Sequence, residues 1–271
     1  MTYEYLQVQQ EGEVVWATMN RPERLNALND GLVHELGDFF TGLYSRPEIR
    51  VVVLRGAGRA FCAGLDLKDR AAGGDTKRSV SDGLAHQRSI RDIVVAMRRC
   101  PQPIISLVNG SAAGGGFALA LASDIRLATP DARMNAAFIR IGLSACDIGV
   151  SYFLPRMVGS SVAAEYMLTG RFIDASRAQQ LGLVSRVGEL PEIEAEARAL
   201  IADMLHATPL GLRLTKEALG YAIDAPGMEA AIAMEDRNQI LCAQGEDFKE
   251  GISAFLEKRE PRYAQNKGEN S

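Results

Sequence analysis

Ala112-Ala113-Gly114-Gly115-Gly116-Phe117-Ala118, preceded by the apolar run 104–108 and followed by a second apolar run, reads as a strand turning into a helix across three glycines. Backbone N–H groups at such a corner are unshielded by side chains, and the dipole of the following helix adds positive potential. The corner can hold an anion. There is no Gly-Lys-Ser/Thr sequence here, and no Asp or Glu about twenty residues on to grip a ribose, so phosphate-loop and dinucleotide readings are weak. A developing oxyanion fits better than a bound phosphate.

A second corner points the same way. Arg50-Val51-Val52-Val53-Leu54-Arg55-Gly56 has a buried-strand pattern, and the small-residue loop from Gly58 through Phe61-Cys62-Ala63-Gly64-Leu65 ends in the helix-starting Asp66. Two strand-to-loop corners, about fifty residues apart, could each offer one N–H to the same atom, which is what an oxyanion hole requires.

The chain has 271 residues, enough for a sizeable core, and a net charge of −4 with both signs mixed along it. No basic face points to nucleic acid. Cys62, Cys100, Cys146 and Cys242 are scattered without a Cys-x-x-Cys pair or a nearby His, which argues against a structural metal or a disulfide framework. The first residues show no basic or apolar signal region, and the small-apolar stretch 112–122 is too short to span a bilayer. A cytoplasmic protein without membrane contact is expected.

Strands are predicted at 14–19, 51–54, 104–108 and 125–128, and helices at 29–44, 84–99, 116–122 and after Ser151. The stretch 70–82 reads as a mobile loop. This alternation predicts an α/β fold. From Pro191 onward only helical stripes remain, at 197–205, 210–223, 228–241 and 248–256.

Asn20-Arg21-Pro22 with Asn26-Ala27-Leu28-Asn29, the stretch Ala60-Phe61-Cys62-Ala63-Gly64-Leu65-Asp66-Leu67, and Asn109-Gly110-Ser111 leading into the triple glycine and then Ala122-Ser123-Asp124 together resemble the crotonase superfamily of enoyl-CoA hydratases and isomerases. The resemblance continues through Leu154-Pro155-Arg156 and Phe255-Leu256-Glu257-Lys258-Arg259 and covers roughly residues 3–263. It implies a spiral ββα core over 1–190 that binds an acyl-CoA thioester. It further implies a C-terminal helical region, 191–263, that builds homotrimers, often paired into hexamers, and a disordered tail at 264–271. No cofactor beyond the substrate's coenzyme A and no metal are implied.

By position, the resemblance makes the N–H groups of Leu65 and Gly115 the oxyanion donors. It sets Ala63 near the CoA adenine and Lys68 near a CoA phosphate. Ala27, Asp66, Gly114, Phe138 and Tyr152 fall on the substrate side, and Tyr263 is expected to reach a neighbouring CoA site. Side chains within 70–91 and around Phe138 and Tyr152 are expected to select the acyl group.

The departures from the hydratase pattern are equally informative. The two glutamates that activate water in hydratases fall on Ala118 and Phe138, neither of which can transfer a proton. Asp147, eight residues before Pro155, matches the acidic base of several isomerases. A single base supports double-bond isomerisation through an enolate, although overall similarity would carry the hydratase label. Two alternatives stand beside it: a hydrolase- or dehalogenase-like reaction with Asp147 as nucleophile or water-activating base, and acyl-CoA binding without catalysis. Asp147 also suits a plain helix cap, accepting an N–H from Gly149 or Val150. His86 reads as a helix-surface or pocket-wall residue, and Cys146, without a neighbouring His, as inert.

Overall fold

The structure, a computed structural model, describes residues 3–72 and 79–263. An antiparallel pair, β1 (Leu6–Glu11) and β2 (Val14–Met19), leads into α1 (Asp30–Gly42), whose N-terminus is capped by the Asn29 side chain. Strands β3 (Val51–Gly56) and β4 (Ala60–Cys62) follow, then α2 (Leu67–Ala72) and α3 (Val80–Arg99). The next turns bring β5 (Ile104–Val108), β6 (Ser111–Ala113), α4 (Gly115–Ala122), β7 (Ile125–Ala128) and β8 (Arg133–Asn135). Helices α5 (Val150–Val158) and α6 (Ser160–Thr169), strand β9 (Ile173–Asp174), helix α7 (Ala175–Gln180) and strand β10 (Arg186–Val187) complete the strand-bearing part.

Each turn of this spiral gives one strand to each of two sheets. The larger has the order β1-β2-β3-β5-β7-β10 and is parallel from β2 onward; the smaller runs β4-β6-β8-β9. This is the ββα spiral that the resemblance implies, followed by a C-terminal run of helices.

The apolar runs of the central strands follow from burial on both faces of the larger sheet. On β3, Val52 and Leu54 join the cluster built around α1, α3 and α4, while Val51 and Val53 turn to the other side. There α8 (Leu190–Leu205) covers the sheet with Ile193, Ala197 and Ile201. Trp16 lies in the same layer, 2% exposed, with the guanidinium groups of Arg55 and Arg198 at 5.2 and 4.6 Å from its ring centroid. Arg55 also pairs with Glu194 of α8 at 2.8 Å.

The last helices are α9 (Pro209–Ala222), α10 (Met228–Ala243) and α11 (Glu246–Glu257). Their apolar stripes face outward: Leu219, Tyr221, Ile240, Leu241, Phe255 and Leu256 are all exposed. The one buried residue of α9 is Lys216, whose Nζ donates to the carbonyls of Gln102 at 2.7 Å and Met97 at 3.1 Å and pairs with Asp124 at 3.0 Å.

The expected loop over 70–82 is corrected at both ends. Residues 70–72 belong to α2, and α3 starts at Val80 rather than at Leu84. Ser79 and Asp82 form a reciprocal cap, Ser79 Oγ accepting the Asp82 N–H at 3.1 Å and Asp82 Oδ2 accepting the Ser79 N–H at 3.3 Å. The rest of that loop, 73–78, and the tail 264–271 lie outside the described residues. Among the described residues no helix is long and apolar enough to cross a membrane.

Candidate active site

The two glycine corners meet. Leu28 N–H donates to Gly64 O at 2.7 Å and Asp66 N–H donates to Leu28 O at 2.9 Å, a short parallel bridge that fixes the peptide of Leu65 between them. A Cβ built on Gly64 would lie 3.4 Å from the Gly115 nitrogen, so the two backbones are in contact. Among the described residues, neither the Leu65 N–H nor the Gly115 N–H donates to a protein acceptor. Gly114, at φ +52°, turns the chain into α4 without a side-chain cap and sends its own N–H to Asn135 O at 2.9 Å. Gly116 answers to a different demand: any Cβ there would collide with the Cys62 carbonyl of β4.

Asp147 lies in the loop before α5. Ile148 and Gly149 both have positive φ, +34° and +95°, and the first is an unusual conformation for a β-branched residue. This kink aims the Ile148 N–H at Asp147 Oδ1, 2.8 Å away, and the same oxygen accepts from Gln87 Nε2 of α3 at 2.5 Å. Oδ2 accepts nothing from the described residues. The Val150 N–H bonds the backbone oxygen of Asp147, so the carboxylate does not form the cap that its place before a turn allows. Burial pushes the Asp147 carboxyl up from its ordinary range, and the donors from Ile148 and Gln87 offset only part of that. Ile148 Cδ1 comes within 3.8 Å of the Cβ position of Gly115, which links this loop to the glycine corner.

A cleft of about 400 Å³ beside Asp147 is lined by Leu84, Gln87, Arg88, Arg91, Cys146 and Ile148. Phe138 is buried with ring carbons 3.4 and 3.7 Å from the Cβ position of Gly114, so it walls the corner, and Ala118 is fully enclosed in α4.

Ala27, Ala63, Asp66 and Lys68 flank the Leu65 side of the corner. Ala27 is buried, and its carbonyl accepts a hydrogen bond from Arg21 Nη1. Ala63 is half-buried with its N–H on Leu25 O at 3.0 Å, and Lys68 is exposed on α2. Asp66 pairs with Arg21 at 3.1 Å and accepts the Asp69 N–H at 3.2 Å; burial opposes ionisation, but the Asp69 N–H and Arg21 prevail and hold its carboxyl below the usual range. Those contacts give Asp66 a role in starting α2.

Two tyrosines lie apart from the Asp147 cleft. The Tyr152 hydroxyl donates to Asp224 beyond α9, and Arg156 stacks 3.8 Å over its ring. Tyr263 is buried, its hydroxyl 3.5 Å from the Cβ position of Gly251 on α11. His86 Nδ1 is 3.5 Å from Asp30 Oδ1 at the start of α1. Gln87 is the site residue that sequence reading missed: its partner is sixty positions away, and nothing local marks an amide on a helix as the donor to an acid.

A ββα spiral whose glycine corners meet with two free N–H groups defines a crotonase-type protein. The chain belongs to the enoyl-CoA hydratase/isomerase family, whose model matches residues 9–266. Relatives include the Mycobacterium tuberculosis protein named probable enoyl-CoA hydratase EchA12, 37% identical over 252 residues that make up 92% of this chain and 88% of that protein. The 1,2-epoxyphenylacetyl-CoA isomerase of Escherichia coli is 35% identical, covering 93% and 95% of the two chains. The crystal structure of an enoyl-CoA hydratase from Bacillus anthracis superposes with a TM-score of 0.90 at 32% identity, covering 97% of this chain and all of that one.

Proposed function

We propose that this chain isomerises a double bond in an acyl-CoA thioester through an enolate, with Asp147 as its single base. The observation that carries this reading is the free Oδ2 of Asp147: one oxygen is held by Gln87 and Ile148, the other is open, and burial raises the proton affinity of the pair. The open oxygen takes a proton from C2 of a 3-enoyl-CoA. Negative charge then collects on the thioester oxygen, where the N–H groups of Leu65 and Gly115 stabilise it; by analogy each such donor is worth about 2.7–4 kcal/mol. Return of the proton at C4 leaves the 2-enoyl product.

Water addition, the chemistry in the hydratase relatives' names, is the competing reading. The positions where hydratases carry their glutamates hold Ala118 and Phe138, which leaves no second carboxylate to activate water. The Escherichia coli relative is named an isomerase, which supports a rearrangement without net addition of water. In this reading Ala27, Ala63, Lys68 and Gly114 receive the CoA and thioester portions, and Phe138 shields the reacting carbons. The exposed apolar side chains of α9, α10 and α11 support contact between copies, as a homotrimer or a pair of trimers, in which Tyr263 would approach a neighbouring subunit's ligand.

Deuterium uptake from D2O by saturated, 2-enoyl and 3-enoyl acyl-CoAs, followed by mass spectrometry, tests the proposal. Double-bond migration and exchange are expected in the wild type and to fall about 1,000-fold in Asp147→Asn. Water addition that survives unchanged in the variant would overturn it in favour of a hydratase.

A further inference from the structure

Leu84, Arg88 and Arg91 recur at i, i+4 and i+7 on α3, a spacing that sets them on one side of the helix, and all three line the cleft that holds Asp147. The two arginines are not equivalent. Arg91 is neutralised by its own neighbour, with Nη2 and Nε at 2.5 and 2.9 Å from Asp92 Oδ1. Arg88 makes no ion pair or hydrogen bond among the described residues. Asp147, the carboxylate in the cleft lining, is held through Oδ1 by Gln87 and Ile148 and pairs with neither arginine.

The rest of the wall is apolar or weakly polar: Leu84, Ile148 and Cys146. A guanidinium bordering such a cleft, with no ion pair among the described residues, suits an anion on the ligand, and its planar fork fits a carboxylate. Arg88 follows Gln87, the residue that holds Asp147, and both line the cleft, so the cation and the base meet the same part of a ligand seated there.

We propose that Arg88 binds a carboxylate at the distal end of the acyl group, so that the preferred ligand is the mono-CoA thioester of a dicarboxylic acid. This rests on the reading of the Asp147 cleft as the acyl end of the site. Leu84 and Ile148 pack the methylene chain, and Arg88 reads its terminus.

Adipoyl-CoA and hexanoyl-CoA test the inference by titration calorimetry, since they share the CoA and the chain length and differ in the terminal carboxylate. Neither contains a double bond, so binding is read without turnover. Adipoyl-CoA is expected to bind about 10-fold more tightly to the wild type. That preference should disappear in Arg88→Ala, with hexanoyl-CoA affinity unchanged within about 2-fold, and persist in Arg91→Ala. Equal affinities in the wild type would overturn the inference. So would an Arg88→Ala variant that weakens both ligands alike, the signature of a contact to a CoA phosphate, or a preference lost only in Arg91→Ala. Repeating the titration with Asp147→Asn separates the two readings: a preference retained where deuterium exchange shows no role for Asp147 leaves Arg88 as the carboxylate receptor and removes only the base.

Discussion

Helices α4 and α10 come from one chain and obey opposite rules. All eight residues of α4 are buried and none carries a charge, whereas α10, with 16 residues, buries none and displays Ile232, Ile240 and Leu241 alongside Glu229, Glu235, Asp236 and Arg237. The chain itself satisfies the first helix completely, and the second has apolar surface left over. The difference teaches that the glycine corner is a finished structure whose tolerance to change is minimal. In the proposed assembly, the C-terminal helices would turn that leftover surface to a neighbouring subunit.

The same substitution in the two regions gives the widest separation. Gly116→Ala drives a methyl group into the Cys62 backbone, and we expect a loss of about 4 kcal/mol in urea-unfolding free energy, or no folded protein. Gly220→Ala, on α9, meets only the Arg98 guanidinium at 3.7 Å and should gain about 0.5–1 kcal/mol from helix propensity alone. A Gly116 variant as stable as the wild type would break the contrast.

Lys216 sharpens it, because the outward-facing α9 is tied to the core by a buried cation. Lys216→Ala strands two backbone carbonyls and leaves Asp124 to Arg98, and is expected to cost about 3 kcal/mol on the same scale. By contrast, Ile240→Asp with Leu241→Asp should change unfolding free energy at low protein concentration by no more than about 0.5 kcal/mol. It should nevertheless move the sedimentation boundary towards the monomer mass. An unchanged boundary would remove the exposed face from the assembly.

The smallest effect is a pH-dependent one. A carboxyl whose pKa is raised by folding keeps a proton that the unfolded chain gives up. Its stabilisation is therefore complete below the unfolded value, about 3.9, and is lost as pH rises through the folded value. Asp147→Asn should thus be slightly more stable than the wild type at neutral pH, with the gap closing towards pH 4 in thermal melts. A gap that widens on acidification would show that the carboxylate is stabilised, not penalised, by its surroundings.

How far the molecule was legible in its sequence depends on the distance over which each feature is decided. The triple glycine and its flanking apolar runs are local, and the corner stands where they put it. The start of α3 was hidden because Ser79 and Asp82 form a cap while Gly83 imitates a loop. The site is less local. Counting back from Pro155 finds a carboxylate at 147, but which oxygen stays open depends on Gln87, sixty positions earlier. The partner of the Tyr152 hydroxyl, Asp224, lies 72 positions later, where no local pattern marks it. The apolar stripes of α9 to α11 were visible as stripes, yet periodicity cannot say whether the surface they meet belongs to the same chain.

Trp16 is the only tryptophan of the chain, and its position has a practical consequence. It lies on the side of the larger sheet that α8 covers, under Arg55 and Arg198, with the sheet between it and the cluster that contains Ile148. Fluorescence excited at the red edge of the absorption band thus comes from one spot on one seam. It is expected to change when α8 lifts from the sheet and to stay constant when a ligand fills the cleft, which would make it an optical gauge that separates unfolding from occupancy without a label.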